Sequence, residues 1–234
     1  MTCIIVLGMH RSGTSCLTGI LQGCGVELGE VFTCNPHNQR GNRENARIMI
    51  LNDAILAHNG GAWNDPVDVQ NWTAEHIIER DEIINELASG GAKHWGFKDP
   101  RTLLTLPFWL EAVQPQLIGT FRYPMSVAMS LQQRDHMTLD EAFLLWHDYN
   151  RRLIDYWQKF NFPLINFDLE ANDYLTDIVR KLAGIGLDRL KIDSALSFYD
   201  KGLLHQNNME LTREKLPGEI AEMYQRLVAC SEIY

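Results

Sequence analysis

The sequence predicts an α/β domain of three layers, a central parallel sheet with helices on both faces, and three observations carry that prediction. Short apolar runs rich in β-branched residues recur without alternation, as strands buried on both faces do. Amphipathic helical segments separate them, which implies parallel strands joined by crossovers. The first run ends in a glycine-bounded loop that leads straight into a helix, the opening of a βαβ unit.

Cys3–Leu7 (Cys-Ile-Ile-Val-Leu) is the first strand, and Gly8 to Gly13 break it. Thr14-Ser-Cys-Leu-Thr-Gly-Ile-Leu then starts a helix, with hydroxyl residues where a helix N-terminus favours them. Trp95–Lys98 reads as a short strand followed by a helix from about Thr102 to Val113. Leu117–Arg122 is a further strand, and Pro124 suits the first turn of the next helix. Leu139–Phe160 is a long amphipathic helix and Leu164–Phe167 a fourth strand. Helices over Tyr174–Leu182, around Ala195 and over Glu219–Val228 complete the chain. Residues 33–91 interrupt the alternation. They hold a polar loop (Asn35–Arg43), a helix (Glu44–His58), a Gly-Gly-Ala-Trp turn and a charged helix (Thr73–Leu87). We expect one domain over 1–234, with 33–91 a helical insertion over the sheet's ends, where open α/β sheets bind ligands.

Composition narrows the function classes. The 234 residues are 45% hydrophobic and include six tryptophans, ample for a packed core. The net charge of −9 repels nucleic acid and anionic membrane surfaces, so neither is expected as a main partner. An anionic ligand would need a local basic pocket. Five cysteines without metal-ligand spacing suit reduced thiols. No run reaches the roughly 18 apolar residues of a spanning helix, and the opening run is too short for a signal peptide. A cytoplasmic protein without stable membrane insertion is the expectation.

Gly8-Met-His-Arg-Ser-Gly-Thr-Ser15 has the length of a Walker A loop, G-x-x-x-x-G-K-[ST], with Thr14 at the lysine position. Glycines at both ends let the backbone curl its N–H groups onto one anion, and the helix N-terminus adds partial positive charge. The missing lysine separates this loop from those of ATP-dependent kinases, which neutralise the β and γ phosphates with that lysine and magnesium. Here the cation is Arg11, two residues before Gly13.

His10-Arg-Ser-Gly-Thr-Ser15 resembles the phosphosulfate loop of the sulfotransferase family, roughly P-[KR]-[SA]-G-T-[TS], with His10 in place of proline. A second segment is similar to the family's other signature: Arg122 at a strand end, followed eight residues later by Ser130. Gly41–Leu51, Gly60–Trp63, Trp95–Arg101 and Phe167–Leu169 resemble a bacterial-type branch, so the likeness covers about residues 3–170. Asp200–His205 resembles a C-terminal cofactor-contacting segment. Cys16 stands where the family carries a tryptophan.

The resemblance implies the P-loop-like version of the fold and 3′-phosphoadenosine 5′-phosphosulfate as donor, with adenosine 3′,5′-bisphosphate as product. It implies that His10, Arg11, Ser12, Gly13, Thr14 and Ser15 line the 5′ end of the cofactor. Arg122 and Ser130 would clamp the 3′-phosphate, and Lys201 and His205 would contact the cofactor from the C-terminal side. Arg11 and Lys98 are candidates for stabilising the leaving group. The general base is Glu44, which resembles the glutamate of several branches, or Asp99, which also reads as an ion-pair partner for Lys98 or Arg101. His136, His147 and His205 carry no motif support as bases, and Trp63 and Trp109 read as core. No metal is expected, because sulfuryl transfer asks for positioning and charge stabilisation rather than a Lewis acid. The acceptor would be a small molecule, or a glycan or lipid, offering a hydroxyl or amine. Two other functions compete: a P-loop kinase phosphorylating a nucleoside or small metabolite with ATP, and a non-catalytic nucleotide-binding scaffold.

Overall fold

The computed structural model of the chain describes residues 1–34, 41–199 and 216–233. Five strands form one all-parallel sheet: β1 (Thr2–Leu7), β2 (Val26–Glu27), β3 (His94–Lys98), β4 (Gln116–Phe121) and β5 (Leu164–Asn166), in the order β2-β3-β1-β4-β5. The most apolar strand, β1, lies at the centre. Its neighbours fall on opposite sides, β3 with Val6 opposite Lys98 and β4 with Leu7 opposite Gly119. The chain therefore reverses direction across the sheet at β1, which is where a ligand crevice opens in such folds.

Alternate residues of β1 feed two cores. Ile4 and Val6 pack with α1 (Thr14–Gly23), α7 (Ala171–Gly184) and α8 (Arg189–Ala195) on one face. Cys3, Ile5 and Leu7 pack on the other, beneath α2 (Ala46–His58), α3 (Ala74–Ser89), α4 (Thr102–Leu110), α5 (Pro124–Asp135), α6 (Leu139–Phe160) and α9 (Gly218–Glu232). The three layers are those read from the sequence.

Local rules set the element ends that matter for the site. Pro124 opens α5, its ring suited to a position whose N–H needs no partner. A reciprocal capping box starts α6: the Thr138 hydroxyl accepts from the Glu141 amide at 3.3 Å, and Glu141 Oε2 accepts from the Thr138 amide at 2.8 Å.

Three readings shift. Strand β2 is two residues long and leaves no periodic signal. Helix α4 stops at Leu110, short of Val113. Helix α2 begins at Ala46, because the Asn45 side chain accepts from the Arg47 and Ile48 amides and caps it there. Glu44 thus lies outside the helix it was expected to head.

Candidate active site

The loop between β1 and α1 is shaped by close approach. A Cβ on Gly8 would sit 2.5 Å from the Thr120 carbonyl oxygen, and one on Gly13 would sit 2.3 Å from the Phe167 ring. Arg11 and Gly13 both have positive φ, 67° and 82°, so the chain alternates hand and curls its amides to one side. Helix α1 begins at Thr14 with no side-chain cap and no acid in its first turn, which leaves its leading N–H groups for an anion. The Ser12 hydroxyl is buried without a hydrogen-bond partner, while its carbonyl accepts from Thr120 Oγ1 at 2.9 Å.

The two cationic motifs meet at the loop. Arg11 Nε donates to Ser130 Oγ at 2.6 Å, and Arg122 Nη1 donates to the Arg11 carbonyl at 3.4 Å. Arg122 is buried at the end of β4, its guanidinium 5.5 Å from the Phe167 ring and 3.8 Å from Asp168. Its Nε and Nη2 have no hydrogen-bond acceptor. Asp168 is held by the Tyr123 amide and by the Tyr224 hydroxyl at 3.3 Å. Burial pushes its carboxyl up to about 6, against the pull of Arg122. Burial, with Arg134 and Arg122 nearby, brings Arg11 down to about 10, so it stays charged at neutral pH.

The opposite wall comes from β3 and the insertion. Lys98, 1% exposed, ends β3 level with the loop; its Nζ lies 2.6 Å from Glu44 Oε1 and 3.4 Å from Ser15 Oγ. Fully buried Asp99 is chelated by Arg101, accepting from its amide at 2.7 Å and its Nη1 at 2.9 Å. Its carboxyl is pushed up to about 6 by burial, opposed by Arg101 and assisted by Glu44. Arg101 Nε also lies 2.6 Å from Asp53 Oδ1, though not aligned as a hydrogen bond.

His10 sits between the walls, 4.8 Å from the Trp63 ring and 6.1 Å from Tyr149. Tyr149 donates to the Trp63 carbonyl at 2.8 Å, and Arg134 lies over the Trp63 ring at 5.4 Å.

Of the residues singled out in the sequence, His10 to Ser15, Glu44, Lys98, Asp99, Arg122 and Ser130 all lie around this loop. Lys201 and His205 fall outside the described residues. Trp109 is fully buried, with Nε1 on Asn52, a core residue as expected. Trp63 is only half-buried and borders the site rather than the core interior. Cys16 lies 3.8 Å from the Tyr174 hydroxyl. Asp168, Arg134 and Tyr149 were not foreseen as site residues. Asp168 alone had a signal, its place at the end of the fourth strand. Among the described residues no group of three or more His, Cys, Asp or Glu could hold a metal ion.

No family model and no curated protein matches the sequence. Solved structures do. The sulfotransferase domain from the curacin biosynthetic pathway superposes with a TM-score of 0.55 at 14% identity, covering 97% of each chain. The sulfotransferase domain from the Synechococcus PCC 7002 olefin synthase gives a TM-score of 0.46 at 14% identity, over 100% of this chain and 94% of that one. At this identity the likeness is one of fold: the α/β domain is built as the curacin sulfotransferase domain is built.

Proposed function

We propose that this chain is a sulfotransferase, moving a sulfuryl group from 3′-phosphoadenosine 5′-phosphosulfate to a hydroxyl or amine by in-line transfer. The observation that carries the reading is the convergence of Arg11, Ser130 and Arg122 on one loop, joined by hydrogen bonds of 2.6 and 3.4 Å. Arg122 and Ser130 share no local sequence with the loop, so nothing but the fold brings them there.

The residues present fit that donor. Buried donors wait for acceptors: the Ser12 hydroxyl and Arg122 Nε and Nη2 have none. Such atoms are costly to leave unpaired, and a polyanion supplies what they lack. We read Ser12 to Ser15 as the cradle of the 5′-phosphate, and Arg122 with Ser130 as the clamp on the 3′-phosphate. When bound, the phosphosulfate supplies an activated sulfuryl group. Arg11 and Lys98 stand at the loop's mouth, where charge collects on the departing oxygen, and charge there needs preorganised cations. Glu44, through its 2.6 Å contact, holds Lys98 in place. Thr14 in the lysine position does not favour the kinase reading.

We take the described parts as one domain over 1–234, with segment 33–91 on the acceptor side, since it contributes Glu44, Asp53 and Trp63 to the crevice. No described helix is long and apolar enough to cross a membrane. We propose a cytoplasmic enzyme with a small-molecule, glycan or lipid acceptor.

Thermal melting tests the reading. Adenosine 3′,5′-bisphosphate should raise the melting temperature, since a ligand selective for the folded state stabilises it by RT ln(1 + [L]/Kd), while Mg-ATP should not. Stabilisation by Mg-ATP alone would overturn it.

A further inference from the structure

His10 stands one residue before the catalytic arginine and is 9% exposed. Its Nε2 is buried and has no hydrogen-bond partner. Buried polar atoms left unpaired are uncommon in folded proteins, and each calls for a reason. Structural packing does not supply one, because the apolar surroundings of Trp63 and Tyr149 offer the ring nitrogen no donor. The nearby charges are cations: Arg101, Arg134, Lys98 and Arg11 all act on this imidazole. Together with burial they hold it well below its ordinary pKa, so the ring is neutral at pH 7 and keeps a lone pair.

Glu44 and Asp99, the two carboxylates beside Lys98, are already engaged. Glu44 is paired to Lys98 at 2.6 Å, and both oxygens of Asp99 are taken up by Arg101. A proton acceptor for the reaction must offer a lone pair within the crevice and next to the transferring group. Position in the chain adds a second argument. Arg11, the next residue, turns toward Ser130, and its carbonyl accepts from Arg122. His10 turns instead toward Trp63, on the insertion, and Tyr149, on α6.

The geometry points to His10 as the general base that takes the acceptor's proton, with Trp63 beside its ring and Arg134 over Trp63 as the half-open cover. This rests on the sulfotransferase reading. The acceptor's O–H or N–H bond breaks and its proton passes to Nε2. The electron pair left on that oxygen or nitrogen forms the new bond to sulfur. The bond from sulfur to the phosphate oxygen breaks, and its pair stays on that oxygen beside Arg11. The imidazolium then returns the proton to water. Each bound anion offsets the ring of cations, which brings the imidazole toward the basicity a general base requires. Trp63 is part of an irregular turn rather than a helix interior, and Arg134 is itself partly exposed, so an acceptor reaches the ring by shifting two surface groups.

The test compares His10→Gln and His10→Ala with the wild type, using two measurements. Calorimetry gives the affinity for adenosine 3′,5′-bisphosphate, which should stay within about twofold in both variants, since His10 would line the cofactor through its backbone and the loop's amides and hydroxyls are untouched. Transfer from sulfur-labelled 3′-phosphoadenosine 5′-phosphosulfate is then read at about pH 8.5 on three acceptors: 4-methylphenol, which is still mostly protonated there, 4-nitrophenol, which is largely ionised there, and water. Loss of a general base costs roughly 10²–10⁴-fold where a proton must be removed. The variants should lose that much on 4-methylphenol and water and only a few-fold on 4-nitrophenol, and added imidazole should restore part of the His10→Ala loss. Equal losses on both phenols, a bisphosphate affinity that falls in step with the rate, or no difference from wild type on any acceptor would each overturn the assignment of His10. Failure of the wild type to bind the bisphosphate is a separate result, and it removes the sulfotransferase reading itself.

Discussion

The two walls of the crevice differ in how far their charges are already paired within the protein. On the β4–β5 wall the orphans are donors: Arg122 Nε and Nη2, with the Ser12 hydroxyl beside them. On the wall built from β3 and the insertion, Lys98 is paired with Glu44 and Arg101 with Asp99, although Arg101 Nε is not itself hydrogen-bonded, and His10 Nε2 lies unbonded between the two walls. A wall that lacks acceptors is suited to gripping an anion. One whose charges are already paired holds its groups in place and leaves proton transfer to the imidazole between the walls. On the proposed function, the open wall grips the cofactor and the paired wall fixes the reacting groups, and each assignment can be broken separately.

The largest effect should come from the paired wall. Glu44→Ala leaves Lys98 buried with an uncompensated charge, and breaking such a pair typically costs about 3–5 kcal/mol of stability. Chemical denaturation should show that loss, and the double variant Glu44→Ala/Lys98→Met should recover most of it. A loss no larger than that of an exposed pair would mean that the charges are not locked together.

Arg11→Ala should keep the fold and most of the bisphosphate affinity while turnover falls about 10²-fold or more, as for other preorganised charge stabilisers. Steady-state kinetics should show kcat and kcat/KM falling together. A raised KM for the donor with unchanged kcat would move Arg11 to the gripping wall.

Arg122→Ala should weaken adenosine 3′,5′-bisphosphate by roughly 1.5–3 kcal/mol, the range for a hydrogen bond to a charged group, and leave adenosine 5′-monophosphate nearly unaffected. Titration calorimetry with both nucleotides decides it. Equal losses would remove Arg122 from the 3′-phosphate.

The smallest effect is a contrast in pH dependence. Asp168 has a folded-state pKa of about 6, above its ordinary 3.8, so its contribution to stability is complete below the lower value and is lost as pH rises through the upper one. His10 has the opposite sign. Its folded-state pKa lies below 6.5, so its contribution is present above 6.5 and lost as pH falls. Asp168→Asn should therefore change the slope of stability between about pH 4 and 6 by at most about one proton, or ~1.4 kcal/mol per pH unit. Denaturant midpoints across that range, compared with His10→Gln, should show shifts of opposite direction.

Much of the fold and half of the site could be read from the chain, and the division follows the range of the interactions. The first strand, its loop and the start of α1 are encoded within Cys3–Leu21, where apolar run, glycine spacing and hydroxyls fall in order. The Arg122–Ser130 pair was legible through its likeness to the family's second signature, whose strand end and helix face are joined here by one proline turn. Helix α6 was read over its full length, since its apolar stripe and its Thr138–Glu141 box are both local. Strand β2 was not, because two residues pair through the neighbouring β3 and have no pattern of their own. Arg134, Tyr149 and Trp63 converge on His10 from three separate segments, and no spacing announces that. Glu44 shows the same limit in small: its sequence position suggested a helix start, and a buried lysine from β3 drew its side chain elsewhere.

Arg11 holds a left-handed backbone conformation, φ 67°, that side-chain-bearing residues adopt at a cost of order 1 kcal/mol or more. Glycine would take that shape without strain, so at this position the residue best for the fold and the one best for the chemistry are different. On the proposed function, the loop is therefore under opposed selection. A library screened for heat resistance alone should enrich Arg11→Gly and lose sulfuryl transfer as it gains melting temperature, whereas selection for activity should hold the arginine and let compensating stability arise elsewhere in the domain.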